Sequence, residues 1–94
     1  MKKQRFKSVW DAIEPAGGEA ENMKARAELM IATQEAVTEW GVTQAAAAKR
    51  LGLTQPRMND LLRGRIDKFS LDALMNVAGR AGLAVRVTID RPAA

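Results

Sequence analysis

Gly52 stands alone between two runs of helix-forming residues in the stretch Thr43 to Arg65, "TQAAAAKRLGLTQPRMNDLLRGR". Each run opens on the pair Thr-Gln, at Thr43-Gln44 and again at Thr54-Gln55. A threonine hydroxyl suits a helix N-cap because it accepts a hydrogen bond from an amide that the first turn leaves unpaired. A glycine between two such runs supplies the left-handed residue that stops one helix and redirects the chain into the next. The four alanines Ala45 to Ala48 favour helix and keep its surface thin, so a second helix can approach closely. Thr43 caps the first helix, which runs to Leu51. The second has two open registers. With Thr54 as cap, Pro56 falls at the second helical position; with Gln55 as cap, it takes the favoured first. Gly64 ends this helix.

The flanking sequence is helical before the pair and changes period after it. Glu19 to Trp40 holds no proline or glycine, and Met23, Ala27, Met30, Ile31, Val37 and Trp40 form a broad stripe at helical spacing. Ser70 caps a last helix, where Leu71, Leu74, Met75, Ala78 and Ala81 repeat and Gly82 is the stop. Leu83, Val85, Val87 and Ile89 then alternate with Ala84, Arg86 and Thr88, a strand pattern. A lone strand leaves its backbone unpaired. The N-terminal "QRFKSVW" could supply a partner within the chain, but its alternation is poor, and the same strand of a second subunit, antiparallel across a two-fold axis, is the better candidate. Val85 and Val87 would lie near that axis, with Leu83 and Ile89 buried against the helices.

Residues 1–18 read as a separate N-terminal arm. Phe6, Val9, Trp10 and Ile13 are its apolar anchors, and Pro15 with Gly17-Gly18 is expected to break regular structure after them. The anchors either fold back onto the domain or bind a partner, since apolar surface seeks cover.

Composition removes whole classes of function. The 94 residues suit one domain with one modest core. Without cysteine there are no disulfides or thiolate metal sites. Without histidine there is no Ser-His or Cys-His nucleophile, and the commonest transition-metal ligand is missing. Carboxylates are scattered along helices beside no phosphate-cradling glycine loop, so no enzyme, metal or cofactor is expected. No apolar run approaches a membrane span, and "MKKQRFK" leads into no signal-peptide core, which predicts a soluble, cytoplasmic protein. The charge of +4 is unevenly placed. Lys2, Lys3, Arg5 and Lys7 crowd the arm, whereas residues 11–42 are acidic on balance. Lys49, Arg50, Arg57, Arg63, Arg65 and Lys68 then gather around the paired helices, the footprint of a polyanion contact.

Two short helices joined by a glycine turn form a helix-turn-helix pattern over residues 44–63, within a mainly α domain of residues 19–94. Ala48 is its small residue, and Ala47, Leu51, Leu53, Met58 and Leu61 are its buried spokes. An ordinary helical hairpin is the alternative, but it would not need a polar, basic outer face on its second helix. At these residues the chain resembles the Cro/CI-like (XRE) family, whose lambda-repressor-like domain has five helices. The run "TQAAAAKRLGLTQPRMNDLLRGRIDKFSLDAL" before a strand, and "SVWDAI" ahead of the domain, resemble the HigA-like antitoxins more narrowly.

That resemblance implies a homodimeric transcriptional repressor of a palindromic double-stranded DNA operator, acting as an autoregulating antitoxin beside a cognate toxin. A free-standing repressor, and a module that neutralises a toxin through its arm with little DNA binding, are the alternatives. Position by position, the resemblance puts Gln44 on a phosphate at the head of the first helix, where an amide donor joins free N–H groups. Thr54 and Gln55 head the recognition helix, with Gln55 as a base reader, and Arg57 and Asn59 follow on its exposed face. Arg63 and Arg65 suit phosphates at the far side, with Lys49 and Lys68 as outer supports. Asp60 would repel phosphate unless it pairs with Arg57 or Arg63 or accepts from a cytosine amino group, and the intrahelical pair is expected.

Overall fold

Four α-helices and one 3-10 turn follow each other along residues 15–92, the part of the chain that the computed structural model describes. They are α1 (Pro15–Trp40), α2 (Gln44–Leu51), α3 (Gln55–Leu62), the 3-10 turn Ile66–Lys68 and α4 (Leu71–Arg80). The arm anchors Phe6, Val9, Trp10 and Ile13 lie outside the described residues.

Caps fix three of the helix starts. Thr43 Oγ1 accepts from the Ala46 amide at 3.1 Å, Thr54 Oγ1 from the Arg57 amide at 3.3 Å, and Ser70 Oγ from the Ala73 amide at 3.1 Å. Each satisfies a donor the first turn leaves open and contributes about 1 kcal/mol. The Thr54 cap settles the register of α3, with Pro56 second in the helix. Gly52, at φ +70°, closes α2. It lets the Leu53 amide reach the Ala48 carbonyl at 2.9 Å and its own amide the Lys49 carbonyl at 3.2 Å. Those two bonds make a Schellman turn, which only a left-handed residue closes cheaply.

Each helix contributes to one core. Met30 and Val37 of α1 meet Ala47, Ala48 and Leu51 of α2, Met58 and Leu61 of α3, and Leu74, Val77 and Ala78 of α4. The expected spokes Ala47, Leu51, Met58 and Leu61 are buried, and Leu53 is half-buried against them. Phe69 plugs the core from the loop before α4 and is 2% exposed. Thr33 is fully buried on α1, where its hydroxyl donates to the Leu29 carbonyl at 2.8 Å. That bond removes the cost of about 1–3 kcal/mol that an unpaired buried hydroxyl would carry.

Pro15, Gly17 and Gly18 do not break structure, because α1 already runs through them. Proline suits a first turn, whose amides have no helical partner, and each glycine costs only about 1 kcal/mol, which a 26-residue helix sustains. Met23 and Ile31 point largely to solvent, since α1 buries the narrower face of Met30, Thr33 and Val37. Leu62 is exposed because its neighbour Leu61 faces the core, and successive helical residues diverge by about 100°.

A fifth α-helix is not formed among the described residues. Between Leu62 and Leu71 the chain makes only the 3-10 turn, and the alternating β-branched residues beyond Gly82 do not favour helix. Nor does Leu83 to Ile89 form a strand. Among the described residues its backbone finds no ladder to join, and the Leu83 amide, which donates to the Ala78 carbonyl at 3.0 Å, makes its one backbone bond there. The tail instead runs beside a cleft of about 1020 Å³ walled partly by Leu29 of α1 and by Leu71 and Met75 of α4. Leu83 is half-buried there, but Val87 is 73% and Ile89 89% exposed in the single chain.

Candidate nucleic-acid interface

The heads of α2 and α3 differ in what they offer. At α2, Thr43 takes the Ala46 amide with its hydroxyl and the Ala47 amide with its carbonyl. The amides of Gln44 and Ala45 have no protein acceptor among the described residues, and the Gln44 side chain is exposed beside them. This arrangement favours an anion, because unpaired N–H groups and the helix dipole point the same way. At α3, Thr54 takes the Arg57 and Met58 amides, and Pro56 has none to give. Only the Gln55 amide is left without an acceptor in that first turn among the described residues. The head of α3 thus offers little to a phosphate, but it presents the exposed Gln55 side chain, whose amide carries both a donor and an acceptor.

Arg57 does not extend from the exposed face of α3. Its guanidinium donates to the Lys68 carbonyl at 2.6 Å and lies over the Phe69 ring, 4.2 Å from the ring centre. Asn59 is half-buried on the same helix. Asp60 pairs with Arg65, Oδ1 to Nη1 at 3.3 Å, rather than with Arg57 or Arg63. The reason is geometric: the turn at Gly64 folds Arg65 back so that its amide also reaches the Asp60 carbonyl at 3.0 Å, while Arg57 is engaged elsewhere. The pair cancels the repulsion Asp60 would exert on a phosphate, and at this exposure it adds only about 0–1 kcal/mol of stability.

Arg63 caps the end of α3 with its side chain in solvent, and Lys68 is exposed in the turn beside Arg57. The structure thus brings Arg57 to Lys68 from the first turn of α3 and Asp60 to Arg65 from its second half, two separate ties between the helix and the loop that follows it. Lys49 is set apart. It lies in the last turn of α2, roughly 7 Å along the axis from Gln44 at the usual helical rise, where its charge also suits the C-terminal dipole. Arg50 turns away over the Trp40 ring, 4.4 Å from its centre.

Three residues that the sequence did not single out hold this surface in place, and a fourth lies against its turn. Gln34 of α1 donates to the Leu61 carbonyl at 2.7 Å and so occupies an acceptor in the last turn of α3. Arg26 donates to the carbonyls of Ile66 and Phe69, both at 3.2 Å. Phe69 carries Arg57. Arg80 lies over Gly52, where any side chain would meet its guanidinium. None has a periodic signature. Each acts across the fold, and only a lone polar residue in a helix, such as Gln34, hints at it.

Among the described residues no helix is long and apolar enough to cross a membrane, and no group of acidic residues is placed to hold a metal ion. A family model described as "Helix-turn-helix domain" matches residues 14–90. Among solved structures, one named "Putative XRE Family Transcriptional Regulator" is similar at 28% identity, with a TM-score of 0.71 over 79% of this chain and 83% of that one. No curated protein sequence matches this chain significantly. On the family match, which spans all four helices and most of the tail, the chain belongs to the helix-turn-helix domain family.

Proposed function

We propose that this chain is a sequence-specific DNA-binding transcriptional repressor that works as a two-fold dimer. The observation that carries this reading is the pair of capped helix heads set at a fixed angle by Gly52, one with open amides beside Gln44, the other presenting Gln55. The first suits a phosphate and the second a base edge, which is the division of labour that positions a protein on a duplex and then reads it. Gln55 addresses adenine through its N6 and N7 groups, a pairing worth about 1–3 kcal/mol of discrimination. Thr54 and Asn59 flank it, while Arg63, Arg65 and Lys68 supply phosphate contacts and Lys49 an outer one. The similar regulator structure supports the transcriptional role.

Dimerisation rests on the tail. Leu83, Val85, Val87 and Ile89 alternate along a tail whose backbone, beyond the Leu83 amide, is unpaired among the described residues and whose apolar side chains grow more exposed toward Ile89. A second copy pairing there would satisfy the facing edge of each tail and set two recognition helices about one DNA turn, roughly 34 Å, apart. The narrower role of autoregulating antitoxin rests on the resemblance of residues 43–74 to HigA-like proteins. A toxin reading frame abutting the gene is the observation that tests it.

The experiment is a base-substitution panel around a selected palindromic site. Gln55→Ala should relax preference at particular base pairs, whereas Arg63→Ala should weaken all sequences alike. Uniform loss in both variants would remove Gln55 from readout.

A further inference from the structure

The turn Ile66–Lys68 and Phe69 are gripped from two sides by arginines. From α1, Arg26 donates to the carbonyls of Ile66 and Phe69 at 3.2 Å each, and its Nε to Asn22 Oδ1 at 2.6 Å. From α3, Arg57 donates to the Lys68 carbonyl at 2.6 Å and stacks on the Phe69 ring. Three of the four carbonyls from Ile66 to Phe69 are thus held by guanidinium groups. The ring between them is buried in the core, so it is a fixed platform and not a mobile lid. A 3-10 turn of three residues has little internal stability of its own, because its bonds are few and poorly aligned. What fixes it here is external.

We propose that Arg57 is a positioning residue rather than a base reader: it locks the loop after the recognition helix, and so sets where Lys68 and Arg65 meet the nucleic-acid backbone. The inference rests on the DNA-binding reading above. To reach a base edge, Arg57 would have to give up both a charge-assisted hydrogen bond and an aromatic face, the two contacts a planar guanidinium makes best. A lysine in its place keeps the charge but loses the fork geometry and most of the stacking. Sequence choice then falls to Gln55 and its neighbours, and Arg57 acts through the loop.

The test uses the full-length chain with Arg57→Met, Arg57→Lys and, as a control on the platform, Phe69→Leu. Amide hydrogen exchange without DNA reads the loop directly. Exchange at residues 66–69 should rise about tenfold or more in Arg57→Met while core amides of α1 and α4 keep their protection. Binding to the base-substitution panel should fall by one common factor, with the order of preferred bases unchanged. Arg57→Lys should show the same loop exchange to a lesser degree, which a pure charge effect on DNA would not produce. Phe69→Leu should loosen the loop even if it destabilises the domain, and Arg57→Lys keeps the test open if the methionine variant folds poorly.

Relaxed preference at one base pair with unchanged loop exchange would overturn the proposal, as would unchanged exchange and unchanged affinity together. If the parent chain binds no duplex, the DNA-binding reading fails, and the exchange arm alone still decides whether Arg57 fixes the loop.

Discussion

Gly52→Ala isolates what the turn between α2 and α3 demands. At φ +70° the backbone is left-handed, a conformation that costs an L-residue roughly 1–2 kcal/mol. Alanine also restricts the unfolded chain, which offsets about 0.4–1 kcal/mol of that cost. The new methyl group falls on the Arg80 guanidinium. That contact is with the far end of an exposed, flexible side chain, so it is relieved by rotation at little cost. The backbone therefore decides the sign, and the net loss is about 1 kcal/mol. For a domain of this size that lowers Tm by about 4–8 °C. Thermal and urea unfolding followed by circular dichroism reads it, provided the transition is two-state. An Arg80→Ala background separates the two causes, because the cost of Gly52→Ala should persist in it. A neutral Gly52→Ala, or a cost that vanishes once Arg80 is removed, refutes the reasoning.

Leu61→Ala should be the more damaging change at the interface's back, costing about 2–5 kcal/mol in urea unfolding because Leu61 is fully buried between α3 and the core. A smaller loss would mean that the site collapses around the cavity. Truncation after Gly82 should give a monomer by sedimentation with only non-specific DNA affinity. Val87→Asp should do nearly the same, since a charge would be carried into the seam without a partner. A truncated chain that still sediments as a dimer would place the interface elsewhere, most directly along α4.

The helix pair was legible because its signals are local. Thr43, Gly52, Thr54 and Ser70 declare caps and a stop by chemistry that acts within four residues, and the structure uses each in that way. The spokes Leu51, Met58 and Leu61 follow from helical period. What escaped acts over distance. Phe69 lies in no periodic run, yet it fills the core and carries Arg57. Arg26 and Gln34 lie 40 and 27 residues from carbonyls they bond, separations that no local pattern encodes. Asp60 paired beyond the helix because a turn, not helical spacing, brought Arg65 to it. The alternation from Leu83 to Ile89 is legible as a pattern, but a strand is a relation between two segments, and the described residues hold only one of them.

The most direct measurement of the central claim is fluorescence anisotropy of the full-length protein on duplex from upstream of its own gene, beside a random duplex of equal length. A dimer making about six to ten phosphate contacts should lose on the order of 10³–10⁵ in affinity between about 50 and 200 mM salt. The upstream duplex should stay tighter than the random one across that range. Affinity that is flat with salt, or equal for the two duplexes, would contradict the account.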